Sequence, residues 1–347
     1  MKRFKGVVLL FIIVSMMVVS VGCGEKKPII NVYNWGDYMD TDIFKIFTEE
    51  TGIKVSYDTF ATNEDLYVKL KQGGSAFDVI FPSDYMIERM VREDLLVKID
   101  HNNIANLNKV DPEFMNLDYD PNNEYSVPYM WGTVGIIYNK TMVDDDVNSW
   151  DILWNEKYKD EIIMLNSQRD TIAVSLKRLG YSMNTRNMDE LEKAKEDLIK
   201  QKPLVLAYMG DEVKDAMVSG EAALAVVWSG DAVAMIRDNP DLAYSIPKEG
   251  TNLWFDAMVI PKNAKNKEGA EQFINFLARP DIAAMNAEYI GYSTPITEAL
   301  ELLPDEITND EVGYPTNLSE IDLEIFKDPL DIIQLYDSIW TDIKSAK

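Results

Sequence analysis

Three short apolar runs, each followed by an amphipathic stretch, occupy residues 29–92 and fix the class of fold open to this chain. "PIINVYNW" is rich in β-branched residues and reads as a strand. "DTDIFKIFTEETG" follows with helical spacing, with Asp40 or Thr41 as the expected N-cap and Gly52 as the stop. "IKVSYDTFA" predicts the next strand, and "NEDLYVKLKQGG" a helix capped by Asn63. "FDVIFPS" is a short buried strand that runs into the helix "DYMIERMVRED". Parallel strands need a crossover between them, and a helix supplies it. A β-α-β-α-β series therefore predicts an α/β fold, a mostly parallel sheet flanked by helices. A second series begins after "WGTVGIIYNK" (131–140), with the strands "PLVLAYM" and "AALAVVWS" separated by the helix "DEVKDAMVSGE". The tail "DPLDIIQLYDSIWTDIKSAK" reads as one more amphipathic helix. No internal repeat or low-complexity linker is visible, so two domains sharing several chain crossings are expected.

Residues 1–23 have the parts of a secretory leader. Lys2, Arg3 and Lys5 precede an apolar core from Gly6 to Val21, and Gly22 stands just before Cys23. That core falls short of the ~20 residues a membrane-spanning helix needs. Cys23 is the only cysteine, so no intramolecular disulfide can form. Its position predicts the lipidated first residue of a mature bacterial lipoprotein. Several acyl chains would anchor an otherwise soluble protein firmly, where one alone would not.

The chain carries 34 basic and 59 acidic residues, a net charge of −25, and the leader contributes only basic ones. Nucleic acid is excluded as a partner, because its binding rests on neutralising phosphates with Lys and Arg. Cationic ligands fit, since a field of this sign steers them inward. His101 is the sole histidine and sits in a turn-like "KIDHNN", which argues against a Ser-His-Asp or Cys-His centre and against a transition-metal site. No phosphate-cradling glycine motif is present, and no cofactor is expected. "DYDPNNEY" sets Asp118, Asp120 and Asn122 at calcium-loop spacing, but Asn123 and Tyr129 stand where Gly and Glu are required, so it reads as a turn.

Positive signals lie where strands run out, the place where open α/β sheets bind ligands. Four clusters fall there: Trp35 with Tyr38, Ser83 with Tyr85, Trp228 with Asp231, and Trp254 with Asp256. A linear polyamine needs acceptor-only partners for its ammonium groups and flat apolar walls for its methylenes. Carboxylates supply the first and aromatic faces the second, with some cation attraction besides. The same groups leave open a sugar, a quaternary amine, or a glycoside hydrolase with paired carboxyls.

Many segments in order make the chain resemble the spermidine/putrescine-binding lipoproteins of polyamine ABC importers. They include "YNWGDY", "FPSDYMIERM", "DPNNEYSVPYMWG", "KNAKNKEGAEQFINFLARPDIA" and "IGYSTP". The resemblance implies a two-lobed, type II periplasmic-binding-protein-like fold, hinged and closing over its ligand. Such a protein is no enzyme. It would act as a monomer, tethered to the outer face of the cytoplasmic membrane or in the periplasm, and hand its ligand to an ABC permease. The expected lobes are 28–133 plus 255–301 and 134–254 plus 302–347, with Gly132 and Gly135 easing the first crossing.

By motif, Trp35, Asp37 and Tyr38 would line the site, with Asp37 an acid for an amine. Ser83 and Tyr85 would flank the ligand from the same lobe, and Asp170 would hold an amine from the other. Trp228 and Trp254 would sandwich the methylenes, Asp256 would be the main counter-ion, and Tyr292 would complete the aromatic wall. Ser167 stands where the family's spermidine binders carry an aspartate, and Phe326 or Lys327 where a glutamine is expected. Losing that carboxylate shifts the expectation toward putrescine, with spermidine retained.

Overall fold

In a computed structural model of the 347-residue chain, residues 28–73 and 76–346 are described. The leader and Cys23 lie outside the described residues. The first strands are β1 (Ile29–Trp35), β2 (Lys54–Phe60), β3 (Val79–Ile80), β4 (Ser126–Asn139) and β5 (Ile162–Leu165). Then come β6 (Val205–Met209), β7 (Leu224–Trp228), β8 (Leu242–Ser245), β9 (Thr251–Val259) and β10 (Leu323–Glu324).

β1 pairs in parallel with β2 on one side and β3 on the other, as helix-linked strands must. β9 then runs antiparallel between β3 and β4. β9 opposes the common direction of β1, β2, β3 and β4, and β10 runs parallel beside it. In the other half β5 lies parallel between β6 and β7, and β4 runs against β7 and β8. β4 is the bridge: its Ser126–Thr133 part pairs with β9, and from Val134 onward it pairs with β7. One 14-residue strand thus serves both halves of the sheet.

Helices cover both halves. The helix Ile43–Thr51 buries Ile43 and Phe47, and the Phe47 ring meets Phe273 edge-on at 5.0 Å. Gly52 ends it at φ 77°, a conformation glycine takes without strain. Asp40 and Thr41 do not cap it; the helix follows Asp42, and the Asp40 carboxylate instead accepts from the Asp42 N–H at 2.9 Å. Asn63 also departs from its expected role. Thr62 is the cap of Asn63–Lys71, accepting from the Asp65 N–H at 3.1 Å, which frees the Asn63 amide for the cleft.

The calcium-like segment is a turn stapled from within: the Asp120 carboxylate accepts from the N–H groups of Glu124, Tyr125 and Ser126. Gly132 and Gly135 leave room for neighbouring side chains. Neither has positive φ. A Cβ on Gly132 would lie 2.6 Å from the Trp254 ring, and one on Gly135 would overlap the Tyr244 ring. Their bare Cα atoms let aromatic rings lie flat on β4.

Candidate ligand-binding site

Where β1, β3, β5, β6 and β7 end, and partway along β9, the two halves of the sheet face a shared cavity of about 220 Å³. Trp35, Asp37, Tyr38, Ser83 and Tyr85 line it from one half. Asp170, Trp228, Trp254, Asp256 and Tyr292 complete its lining. The ten residues singled out in the sequence therefore meet in one place.

Each aromatic is held from behind. The Trp35 indole N–H donates to the Phe81 carbonyl at 2.8 Å, and its ring leans on Phe60 at 4.6 Å. Tyr38 meets Tyr292 edge-on at 5.0 Å, and Tyr292 meets Trp254 at 5.4 Å, a continuous wall of edges and faces. Tyr292 in turn lies against Gly230, where a Cβ would overlap its ring. Trp228, like Trp35, is half-buried, whereas Trp254 is buried.

Asn63, freed from capping, ties down the polar corner. Its amide donates to the Ser83 hydroxyl at 3.0 Å and the Tyr85 hydroxyl at 3.2 Å, and it accepts from the Ser83 N–H at 3.1 Å. The Tyr85 hydroxyl donates to Glu64 at 3.1 Å. Glu64 lines the cavity and was missed in the sequence, because it reads as an ordinary first-turn acid of its helix.

The carboxyls give the site its electrostatics. Asp256 sits beside Ser83 through an antiparallel bridge, is 5 % exposed, and its Oδ1 has no hydrogen-bond partner among the described residues. Burial pushes its pKa up to about 7, against the pull of the Ser83 and Tyr38 hydroxyls. Burial also lifts Asp170 to about 6, although Ser167 donates to it at 2.5 Å and Arg169 lies near. Asp231 is lifted to about 6 by the same cause, with Lys214 opposing. Desolvation raises Glu64 as well.

Buried acids with raised pKa values are sites where a cation would be welcomed. Asp37 is different. It stands at the mouth with its side chain 76 % exposed, bonded to the Lys214 ammonium at 2.9 Å. Phe326, one of the two residues at the expected glutamine position, has its ring 4.5 Å from the Arg169 guanidinium, which the Tyr85 and Tyr336 rings also face.

A model of the bacterial extracellular solute-binding protein family matches residues 42–315. The spermidine/putrescine-binding periplasmic protein of Salmonella typhimurium is 39% identical over 317 residues, covering 91% of each chain. Among solved structures, the spermidine/putrescine ABC transporter substrate-binding protein PotD from Streptococcus pneumoniae aligns with a TM-score of 0.78 at 43% identity, covering 91% of this chain and 98% of that one. The TpPotD lipoprotein of Treponema pallidum aligns at 0.81 with 28% identity, covering 91% and 99%. The Streptococcus pneumoniae relative is named as a substrate-binding protein of an ABC transporter, and the chain shares the two-lobed α/β fold with its curled sheet. By this extent of match, the chain belongs to the bacterial extracellular solute-binding protein family.

Proposed function

We propose that this protein is the extracytoplasmic receptor of an ABC importer, capturing a linear polyamine, putrescine or spermidine, between its lobes. The observation that carries the reading is Asp256: a buried carboxylate with a free oxygen, walled by Tyr38, Tyr292 and Trp254, in a cavity that also holds Asp170 and Glu64. An ammonium group relieves the desolvation that raises these acids, and the aromatic faces take up the methylene spacer. A sugar would leave the charge at Asp256 uncompensated.

The lobes in this reading are 28–133 with 255–301 and 134–254 with 302–347, meeting where β4 and β9 cross. Groups from both lobes touch the ligand, so binding favours the closed form by its differential affinity for that form over the open one. A permease would then recognise the closed shape. Cys23 carries the lipid that tethers the receptor, and the protein works as a monomer.

Calorimetric titration of the leaderless protein with putrescine, spermidine and leucine tests this. Saturable heat with an amine and none with leucine is expected. Heat with neither amine would remove the proposal.

A further inference from the structure

One cation beside the cleft comes from the chain itself. Lys214, on the helix Val213–Ser219, places its Nζ 2.9 Å from Asp37 Oδ2, 3.7 Å from Asp231 Oδ1 and 3.8 Å from Asp211 Oδ1. All three acids line the cavity. Asp37 belongs to the segment after β1, whereas Asp211 and Asp231 follow β6 and β7, so the ammonium bridges the two halves across the mouth. The halves approach closely here: a Cβ on Gly36 would overlap the Asp211 carboxylate. The Lys214 side chain is only 20 % exposed. Burial alone would lower its pKa, but the charges of Asp231, Asp37 and Asp211 outweigh that and raise it. It therefore stays an ammonium across the neutral range.

The other acids of the cleft are not supplied in this way. Among the described residues, neither Asp256 nor Asp170 has a Lys or Arg within ion-pair distance. The Arg169 guanidinium acts on Asp170 from an aromatic box and bonds to the Lys327 carbonyl at 3.0 Å.

We propose that Lys214 is a specificity residue that fills the ammonium subsite formed by Asp37, Asp211 and Asp231, leaving the cleft to ligands with two ammonium groups and disfavouring a third. This rests on the amine-binding reading above. A triamine reaching past Asp256 toward the mouth would meet a like charge already paired. Displacing Lys214 would strand a half-buried ammonium without its partners, and such a charge is costly to leave unpaired. Selectivity thus comes from a repulsive element built beside the attractive ones.

The test is the ratio of putrescine to spermidine affinity, measured by calorimetry for the native protein and for Lys214→Met, Lys214→Gln and Lys214→Arg. The expected result is a relative gain for spermidine of about tenfold or more in the Met and Gln variants, the scale of one close charge pair. Lys214→Arg keeps the native ratio. Two neutral replacements guard against one failing to fold, which circular dichroism reports. If the native protein binds an amine and the ratio is unmoved in the neutral variants, the role of Lys214 is overturned while the receptor reading stands. If the native protein binds neither amine, the receptor reading falls and takes this inference with it.

Discussion

Lowering the pH should weaken amine binding in a way that can be worked from two buried carboxyls. An alkylammonium stays protonated far above neutrality, so the titration belongs to the protein. To bind as an ion pair, the ligand must displace any proton held by Asp256 and Asp170. With pKa values of about 7 and about 6, they lose little at pH 8. At pH 5.5 the cost is roughly 30-fold at Asp256 and about 4-fold at Asp170, near 100-fold together, or about 2.8 kcal/mol. Asp231 is left aside because Lys214 already pairs with it.

The sign for folding is the reverse. A carboxyl with a raised pKa in the folded protein holds a proton the unfolded chain would release. Its favourable contribution is complete below about pH 4 and is lost as the pH rises through 6 and 7. The ligand-free protein should lose stability over the range in which it gains affinity. Putrescine titrations between pH 5.5 and 8, in buffers of different ionisation enthalpy, would show both the fall in affinity and the uptake of protons by buffer. Asp256→Asn should cost more than ~2 kcal/mol of binding at pH 8 and leave only a few-fold pH dependence. A dissociation constant constant within about threefold over that range would refute the reasoning, since one decade per pH unit is what such a group imposes.

Three further outcomes are expected. Trp228→Ala should weaken amine binding by about 1–2 kcal/mol through lost cation and methylene contact, with little change in Tm because the ring is half-exposed; unchanged affinity would place Trp228 outside the ligand's reach. Gly132→Ala should lower stability by about 1–3 kcal/mol, as its Cβ meets the Trp254 ring and the Ser229 hydroxyl, and an unchanged melting curve would contradict that contact. Cys23→Ser in the full chain should move the protein from the membrane fraction to the soluble one; retention at the membrane would rule out a lipid on that residue.

The strand-and-helix order of the N-terminal third was legible because each apolar run there is short and bounded by a helical period. Crossing strands were harder. β9 carries "LWFDAMV", a run whose residues give no direction, and only pairing to β3 and β4 reveals that it opposes its neighbours. Site residues at strand ends could be found because Trp and Tyr beside an acid are unusual there. Glu64, Asn63 and Lys214 could not. Each sits in the first turn or flank of a helix, where a polar residue has an ordinary explanation, and only tertiary placement turns Asn63 away from capping and Lys214 toward Asp37. Gly132 and Gly135 stood out in the sequence at the expected lobe crossing, and the room they leave for Trp254 and Tyr244 shows only in the fold.

The shared long strand has a consequence for how the molecule is made. Ile80, already paired with Tyr33, gains its second neighbour only when Val259 has been synthesised, and the β4 segment that closes the first half waits for the same stretch. The first half cannot finish as the ribosome delivers it and stays open-edged until three-quarters of the polypeptide exists, whereas the β4, β5, β6, β7 and β8 ladders of the other half need nothing beyond Ser245. Such late closure slows folding, and until it happens the first half keeps an unpaired sheet edge on β3.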